Sequence, residues 1–408
     1  MTTEGTRRAE VRRRYIEMIL RIACIGVLLG ILVAGLRPFH APKNEVSWLR
    51  NGNGLRFGDF GTVLSSRAFK IANANPEGPG SLEVWIEPGL TYDSNTFVAF
   101  YSSENPEQFS MHQSHSDLAL QLDACSRQRQ KTSDRRLYID DVFRQGKGIF
   151  ITATTNGEQT AVYINGLLVR TSSDFGLSGA DFAGQLVMSS LPSSDDTWSG
   201  RFRGLAIYDH QLTAAQVLQH YQTWVRGGRP DVTKSEGVLA LYLFNEHFGS
   251  IVHNQVRDGV DLYIPSHYVL LHQQFLERPW DEYRPGWAYW KDVLINIGGF
   301  APLGFFFYAY LLGALRPRRA VLATVLLGAA VSLTIEILQA YLPTRDSGMT
   351  DLMTNTFGTW GGVMMYRSAA VVCARLSRSQ FARIRRVARL MPLQHKVESK
   401  PPNACGMA

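Results

Sequence analysis

The stretch SLTIEILQAYLPTRDSGMTDLMTNTFGTW, Ser332 to Trp360, carries Glu336, Gln339, Arg345, Asp346, Asp351 and Asn355 between flanks apolar enough to cross a bilayer. These residue types can do chemistry. A carboxylate held out of water suits proton transfer, and the planar fork of an arginine suits a phosphate. Glu336 and Gln339 are three apart and share one helix face; Asp351, Asn355, Gly358 and Gly362 follow at i, i+4, i+7 and i+11. An earlier apolar run repeats the pattern with Asp292, Asn296 and Gly299. A packing role competes with a functional one. Asn and Gln knit helices together at ~0.6 kcal/mol per hydrogen bond, whereas a carboxylate at the bilayer centre costs about 2.5–3.5 kcal/mol. On that cost, an ionisable group inside a membrane is a functional candidate.

Four apolar runs must position these residues. Tyr15–Leu36, Val293–Leu315 and Val321–Leu342 each reach the ~20 residues that span a ~30 Å core, and a fourth runs from Leu352 to Tyr366 or Ala374. The first follows RRAEVRRRY. It is long for a signal peptide, and no A-x-A cleavage site follows it. Glu17 and Arg21 are four apart, which predicts an ion pair. Arg clusters follow Thr6, Leu315 and Tyr366, and the positive-inside rule then puts both termini in the cytoplasm and residues 37–290 outside. In this arrangement Asp292 and Asp351 lie at the external helix ends, with Asn296 and Asn355 ~6 Å deeper. Glycines beside them allow close helix approach. The tail, Gln380–Met391, has an apolar face among arginines, as in a helix lying on an anionic leaflet, and also reads as a solvated charged tail.

Between Pro42 and Asp281 the period changes to short β-rich runs broken by Gly, Asn, Asp and Ser, which predicts a sandwich or jelly roll. Asn165-Gly166 signals a two-residue hairpin, and Thr213 an N-cap for one helix. The runs SLEVWIEP, TAVYINGLLV and WSGRFRGLAIYDHQLTAAQV resemble the laminin-G-like or concanavalin-A-like jelly-roll family over residues 45–260. LYLFNEHFGSIVHN resembles a strand that usually opens such domains, so the strand order is expected to be permuted. The resemblance implies two curved antiparallel sheets and glycan or protein binding. Glucanases of this fold carry E-x-D-x-x-E, whereas Glu83-Val-Trp-Ile-Glu87 lacks the middle Asp, with Trp85 expected in the core. Tyr92, Tyr101, Trp198 and Tyr208 are candidates for stacking on sugar rings, against the commoner case of buried sandwich aromatics.

The Ser332–Gly362 stretch, with KDVLINIGGFAPLGF before it, is similar to the VanZ-like membrane family. That family's pattern is an E-x-x-Q helix, an R-x-x-x-x-x-D loop and a D-x-x-x-N-x-x-G helix, covering residues 291–367 here. The resemblance makes Tyr15–Leu36 the first of four helices and the jelly roll an insertion after it. It implies a bacterial envelope protein of the plasma membrane, in a family associated with glycopeptide-antibiotic tolerance, and supplies site candidates without assigned chemistry. The expected plan is a basic segment at 1–14, a helix at 15–36, an external β domain at 37–275, a linker at 276–290, three membrane helices within 291–375 and a basic tail at 376–408.

With 408 residues, two or three domains fit the length. The net charge of +7 sits beside the apolar segments, which argues for topology signals rather than nucleic acid. Of four cysteines only Cys125 falls in the β region, which leaves no disulfide within it and no metal-ligand cysteine pair. No metal and no cofactor is expected. The expected partners are membrane lipids and a polysaccharide or lipid-linked glycan, and the oligomeric state is open. Two functions remain. The preferred one is a non-enzymatic envelope protein that binds, senses, anchors or exports. The other is a membrane enzyme acting on a lipid-linked glycan or head group through Glu336, Asp351 and Arg345. A proton-coupled transporter ranks third, because four helices make a small pathway.

Overall fold

The computed structural model describes residues 3–70, 78–106, 108–122, 135–193, 197–232, 236–273, 275–283, 285–345 and 347–390, with backbone alone for 3–6, 9, 281 and 376–390. Asp346, Cys125, Cys405 and the side chains of the expected tail face lie outside the described residues. The chain forms two compact units, one of residues 1–36, 277–336 and 348–408 and the other of residues 37–276 and 337–347.

The second unit is a sandwich of two eight-stranded antiparallel sheets. One sheet runs β1 (Val46–Trp48), β2 (Leu55–Phe57), β13 (Gly200–Tyr208), β4 (Gly80–Pro88), β9 (Ile149–Thr155), β10 (Thr160–Ile164) and β11 (Leu167–Ser172), with β14 (Val238–Tyr242) beside β13. The other runs β15 (Ile251–Val252), β16 (Leu262–Tyr263), β3 (Val63–Ser65), β12 (Gln185–Met188), β5 (Thr96–Tyr101), β6 (Phe109–Ser114), β7 (Asp117–Leu122) and β8 (Arg135–Ile139). Period two sorts β4. Leu82, Val84 and Ile86 enter the core with Phe97, Phe100 and Trp198, so Glu83 and Trp85 face the other way.

That outer face is covered by α2 (Ala214–Gly227). The expected cap holds: Thr213 Oγ1 accepts the Gln216 N–H, and Gln216 Oε1 accepts the Thr213 N–H at 2.8 Å. Trp224 packs against Gly204 of β13, where a β-carbon would collide with the indole. Trp85, expected in the sandwich core, is therefore partly buried on the outer face with this second cluster. The hairpin signal also holds: Ile164 pairs with Leu167, with Asn165 at φ 52° and Gly166 at φ 79°.

The first unit is helical: α1 (Thr3–Leu36), α3 (Pro279–Glu282), α4 (Trp287–Leu311), α5 (Pro317–Gln339) and α6 (Met349–Leu390). Among the described residues three segments are long and apolar enough to cross a membrane: Glu10–Leu36, Trp287–Leu311 and Pro317–Gln339. The fourth expected run is the front of α6, whose 42 residues continue through the tail without a break. Gly362 is its last glycine, and the next proline is Pro392, just past its end. α4 begins at Trp287, inside the expected linker. Val27, Ile31 and Leu36 of α1 pack against Phe300, Leu303 and Ile335. At the opposite end Tyr308, Ala320 and Val363 cluster. The Glu17–Arg21 pair does not form. Glu17 takes Arg13 at 3.0 Å, and Arg21 lies 5.9 Å over the Tyr310 ring.

Candidate functional site

The polar residues of the helical unit form a ladder where α5 ends and α6 begins. Glu336, only 1% exposed, accepts the Gly348 N–H at 3.0 Å. Glu282 accepts the Thr350 N–H at 3.3 Å, and the Met349 N–H reaches the Glu277 carbonyl at 2.9 Å. The first N–H groups of a helix lack intrahelical acceptors, and negative charge there suits the helix dipole. Two carboxylates thus cap α6. One turn deeper, Asn355 Nδ2 donates to Ser332 Oγ at 3.0 Å. Ser332 and Glu336 share a face of α5, as Asp351 and Asn355 share one of α6. Asn296 Nδ2 donates to Asp351 Oδ1 at 2.7 Å and ties α4 to the ladder.

Buried oxygens in this region, among them Asn355 Oδ1, Thr350 Oγ1 and Glu282 Oε1, have no hydrogen-bond partner among the described residues. Buried polar atoms are nearly always paired, so these have room for a donor. Asp292 is exposed on α4. Gln339 is buried. Arg345 is exposed, and its Nε donates to the Arg37 carbonyl at 3.2 Å. Gln273 Nε2 donates to the Leu342 and Arg345 carbonyls, at 2.7 and 2.6 Å, and holds that loop.

The glycines serve close approach. A β-carbon on Gly358 would collide with the Ile297 carbonyl oxygen, and one on Gly362 with that of Ala301. On α4, one at Gly304 would strike the Thr359 carbonyl. Those contacts let Asn296 reach Asp351 between backbones in near contact.

In the sandwich, Tyr92 is 69% exposed, with its ring 4.6 Å from that of His115. Tyr101 is half-buried beside His272. Trp198 corrects the expectation of a sugar contact. It is 0% exposed, packs on Phe97 and Phe202, and donates Nε1 to Gln113 Oε1 at 3.0 Å. Aromatic type alone does not say which face of a sheet a residue takes.

The carboxylates of β4 are engaged structurally. Glu87 accepts from Arg203 at 2.9 Å and Arg201 at 3.0 Å. Partial burial pushes its acidity down, but the two guanidinium bonds outweigh this and hold its pKa below the usual carboxylate range. Glu83 lies fully buried under α2. It accepts the Tyr208 hydroxyl at 2.7 Å and the Thr152 hydroxyl at 3.4 Å, with His220 Nδ1 3.1 Å away. His220 Nε2 is 3.4 Å from Glu236 at ion-pair distance, without the alignment of a hydrogen bond. Burial alone would lower the His220 pKa, but Glu83 and Glu236 outweigh it and raise it. Tyr208 is pushed well above its usual value by burial and by Glu83. The sequence reading missed this group. Its signal was available: Val217, His220 and Trp224 recur at i, i+3 and i+7 and so mark the buried face of α2. Among the described residues no His, Cys, Asp and Glu group is arranged to hold a metal ion.

Residues 237–372 match the VanZ/LLP1 family model, and residues 64–218 match that of the concanavalin A-like lectin/glucanases superfamily. The chain thus joins a VanZ-like helical region to a concanavalin A-like β domain, and it is a membrane protein. No curated protein matches it. Among solved structures it is similar to the binding domain of botulinum neurotoxin DC in complex with rat synaptotagmin II. Identity is 18% over 44% of this chain and 45% of that one, with a TM-score of 0.35. It is similar to a SAP-like pentraxin from Limulus polyphemus at 17% identity, over 55% and 93% of the chains, TM-score 0.32. It is also similar to the ligand-binding domain of botulinum neurotoxin serotype D in complex with N-acetylneuraminic acid. There the figures are 13% identity over 54% and 61%, TM-score 0.34. The chain spans about 45% of the length of the first of these.

Proposed function

We propose that this is a bacterial plasma-membrane protein that binds rather than transforms its ligands. Its β domain lies outside the cell and takes a polysaccharide or a protein partner. Its VanZ-like helices hold a polar site at the outer leaflet that senses, anchors or helps export an envelope component. The observation that carries the membrane part is the buried carboxylate of Glu336 in an apolar helical setting, one helical turn from an Asn355 whose oxygen is left unpaired. Asparagine–serine packing alone does not call for a carboxylate there.

The orientation rests on charge. Arginines stand in the first turns of α1 (Arg12–Arg14), at the start of α5 (Arg316, Arg318, Arg319) and beyond Tyr366 on α6, and the latter two groups adjoin the Tyr308–Ala320–Val363 cluster. The end with that cluster is read as cytoplasmic and the ladder as external. The enzyme reading keeps Glu336 for proton transfer but needs an arginine for phosphate, and Arg345 is engaged by the Arg37 carbonyl.

The test is Glu336→Gln in cells challenged with a glycopeptide antibiotic. Tolerance should fall to that of cells lacking the protein, with accumulation and detergent thermal stability unchanged. Full tolerance, or failure to accumulate, assigns the ladder to helix packing. Reconstituted full-length protein titrated with exopolysaccharide and peptidoglycan fragments tests the β domain, and absence of binding points to a protein partner.

A further inference from the structure

Between α5 and α6 lies an open groove of about 850 Å³, lined by Ala329, Ala330 and Leu333 of α5 and by Met353, Phe357 and Trp360 of α6. Its volume falls in the range of ~300–1,000 Å³ found for small-molecule sites. Three features define what it can hold. The first is depth. Ala329 lies about 15 Å along the axis from the α5 end at Gln339, taking 1.5 Å per residue, half-way through a ~30 Å hydrocarbon core.

The second is chemistry. Thr354 and Thr356 border the groove, but their hydroxyls donate back to the Thr350 and Leu352 carbonyls at 2.8 and 2.7 Å. Apart from the Trp360 indole N–H, the lining therefore offers nothing to water, and an apolar cavity does not retain it. The third is shape. Alanines hollow the α5 side, and the Phe357 and Trp360 rings, 5.5 Å apart, wall the α6 side. A chain seated there meets protein atoms on more than one side, and dispersion contacts add up. The face of α1 that exposes Ile22, Ile25 and Leu29 is apolar and lies outside this groove.

We propose that this groove binds one acyl chain of a membrane phospholipid as an ordered ligand. The proposal needs only that α5 and α6 span the bilayer, so it stands apart from the role of Glu336. The probe is a phospholipid with a diazirine on its acyl chain, mixed into phosphatidylethanolamine–phosphatidylglycerol nanodiscs holding the full-length protein. After illumination, labelled residues are mapped by mass spectrometry. Label is expected to concentrate on Ala329–Leu333 and Met353–Trp360 and to exceed that on the exposed α1 face. Ala330→Phe should remove the groove label and leave the α1 label. Equal labelling of groove and α1 in the unaltered protein overturns the proposal, and that comparison does not depend on the variant folding. Groove label that survives both Ala330→Phe and Ala329→Leu also overturns it. Groove label together with full antibiotic tolerance of Glu336→Gln would sink the functional reading of the ladder while leaving the acyl site standing.

Discussion

The carboxylate of Glu336 accepts the backbone N–H of Gly348 at 3.0 Å, one residue before α6 begins. The contact separates charge from acceptor. Glu336→Ala leaves a buried N–H without its partner, and loss of a helix cap costs about 0.5–2 kcal/mol. Glu336→Gln keeps a carbonyl oxygen in the same place and should unfold in detergent near the unaltered temperature. Equal destabilisation by both would show that the charge on α6, not the hydrogen bond, supplies the stability.

The α4–α6 crossing makes a second prediction. Gly362→Ala forces a methyl into the Ala301 carbonyl, and Gly358→Ala into that of Ile297. Overpacking of this kind costs about 1–3 kcal/mol, and Asn296 would lose its reach to Asp351. Gly361→Ala is the control, since nothing lies within 4 Å of a β-carbon there. It should be neutral or better by up to ~1 kcal/mol from helix propensity. Thermal unfolding of the three variants in one detergent decides it; a Gly361→Ala loss matching that of Gly362→Ala would refute the close-contact account.

Local signals carried much of this far. The Asn165-Gly166 hairpin and the Thr213 cap each depend on a few adjacent residues and appear where the pattern placed them, and three of the four apolar runs overlap helices long and apolar enough to cross a membrane. Partner choice was not legible. Glu17 has a basic residue four positions away on either side, and local spacing cannot choose Arg13 over Arg21. Period two put Glu83, Trp85 and Glu87 on one face, but only the docking of α2 decides that this face is covered and that Glu83 is sealed against His220. The D-x-x-x-N repeat pointed to Asn296 and Asp351 as kin; it did not reveal that they bond each other across helices.

The orientation prediction uses fused alkaline phosphatase, which is active only outside the cytoplasm. Fusion at Gly228 should be active and fusion at Pro317 inactive. Reversed activity would invert the orientation, and activity at both sites would change the helix count.

His220 supplies the last prediction. From β4 it faces Glu83, from β13 Tyr208, and from the segment before β14 Glu236, with Trp224 the next buried residue on its own helix. The two acids raise its folded pKa above the unfolded value near 6.5. A raised pKa means that the folded state binds the proton more tightly than the unfolded chain. The resulting stability is fully present below the unfolded pKa and is lost as pH rises through the folded one. The α2–sandwich contact should therefore weaken from mildly acid towards alkaline pH. His220→Gln removes the titrating group and should flatten that dependence, while costing stability most at low pH. Urea unfolding of the full-length protein at a series of pH values, read by tryptophan fluorescence, measures both slopes. Stability of the unaltered protein that rises with pH over this window, or a slope that His220→Gln leaves unchanged, would remove His220 as its source.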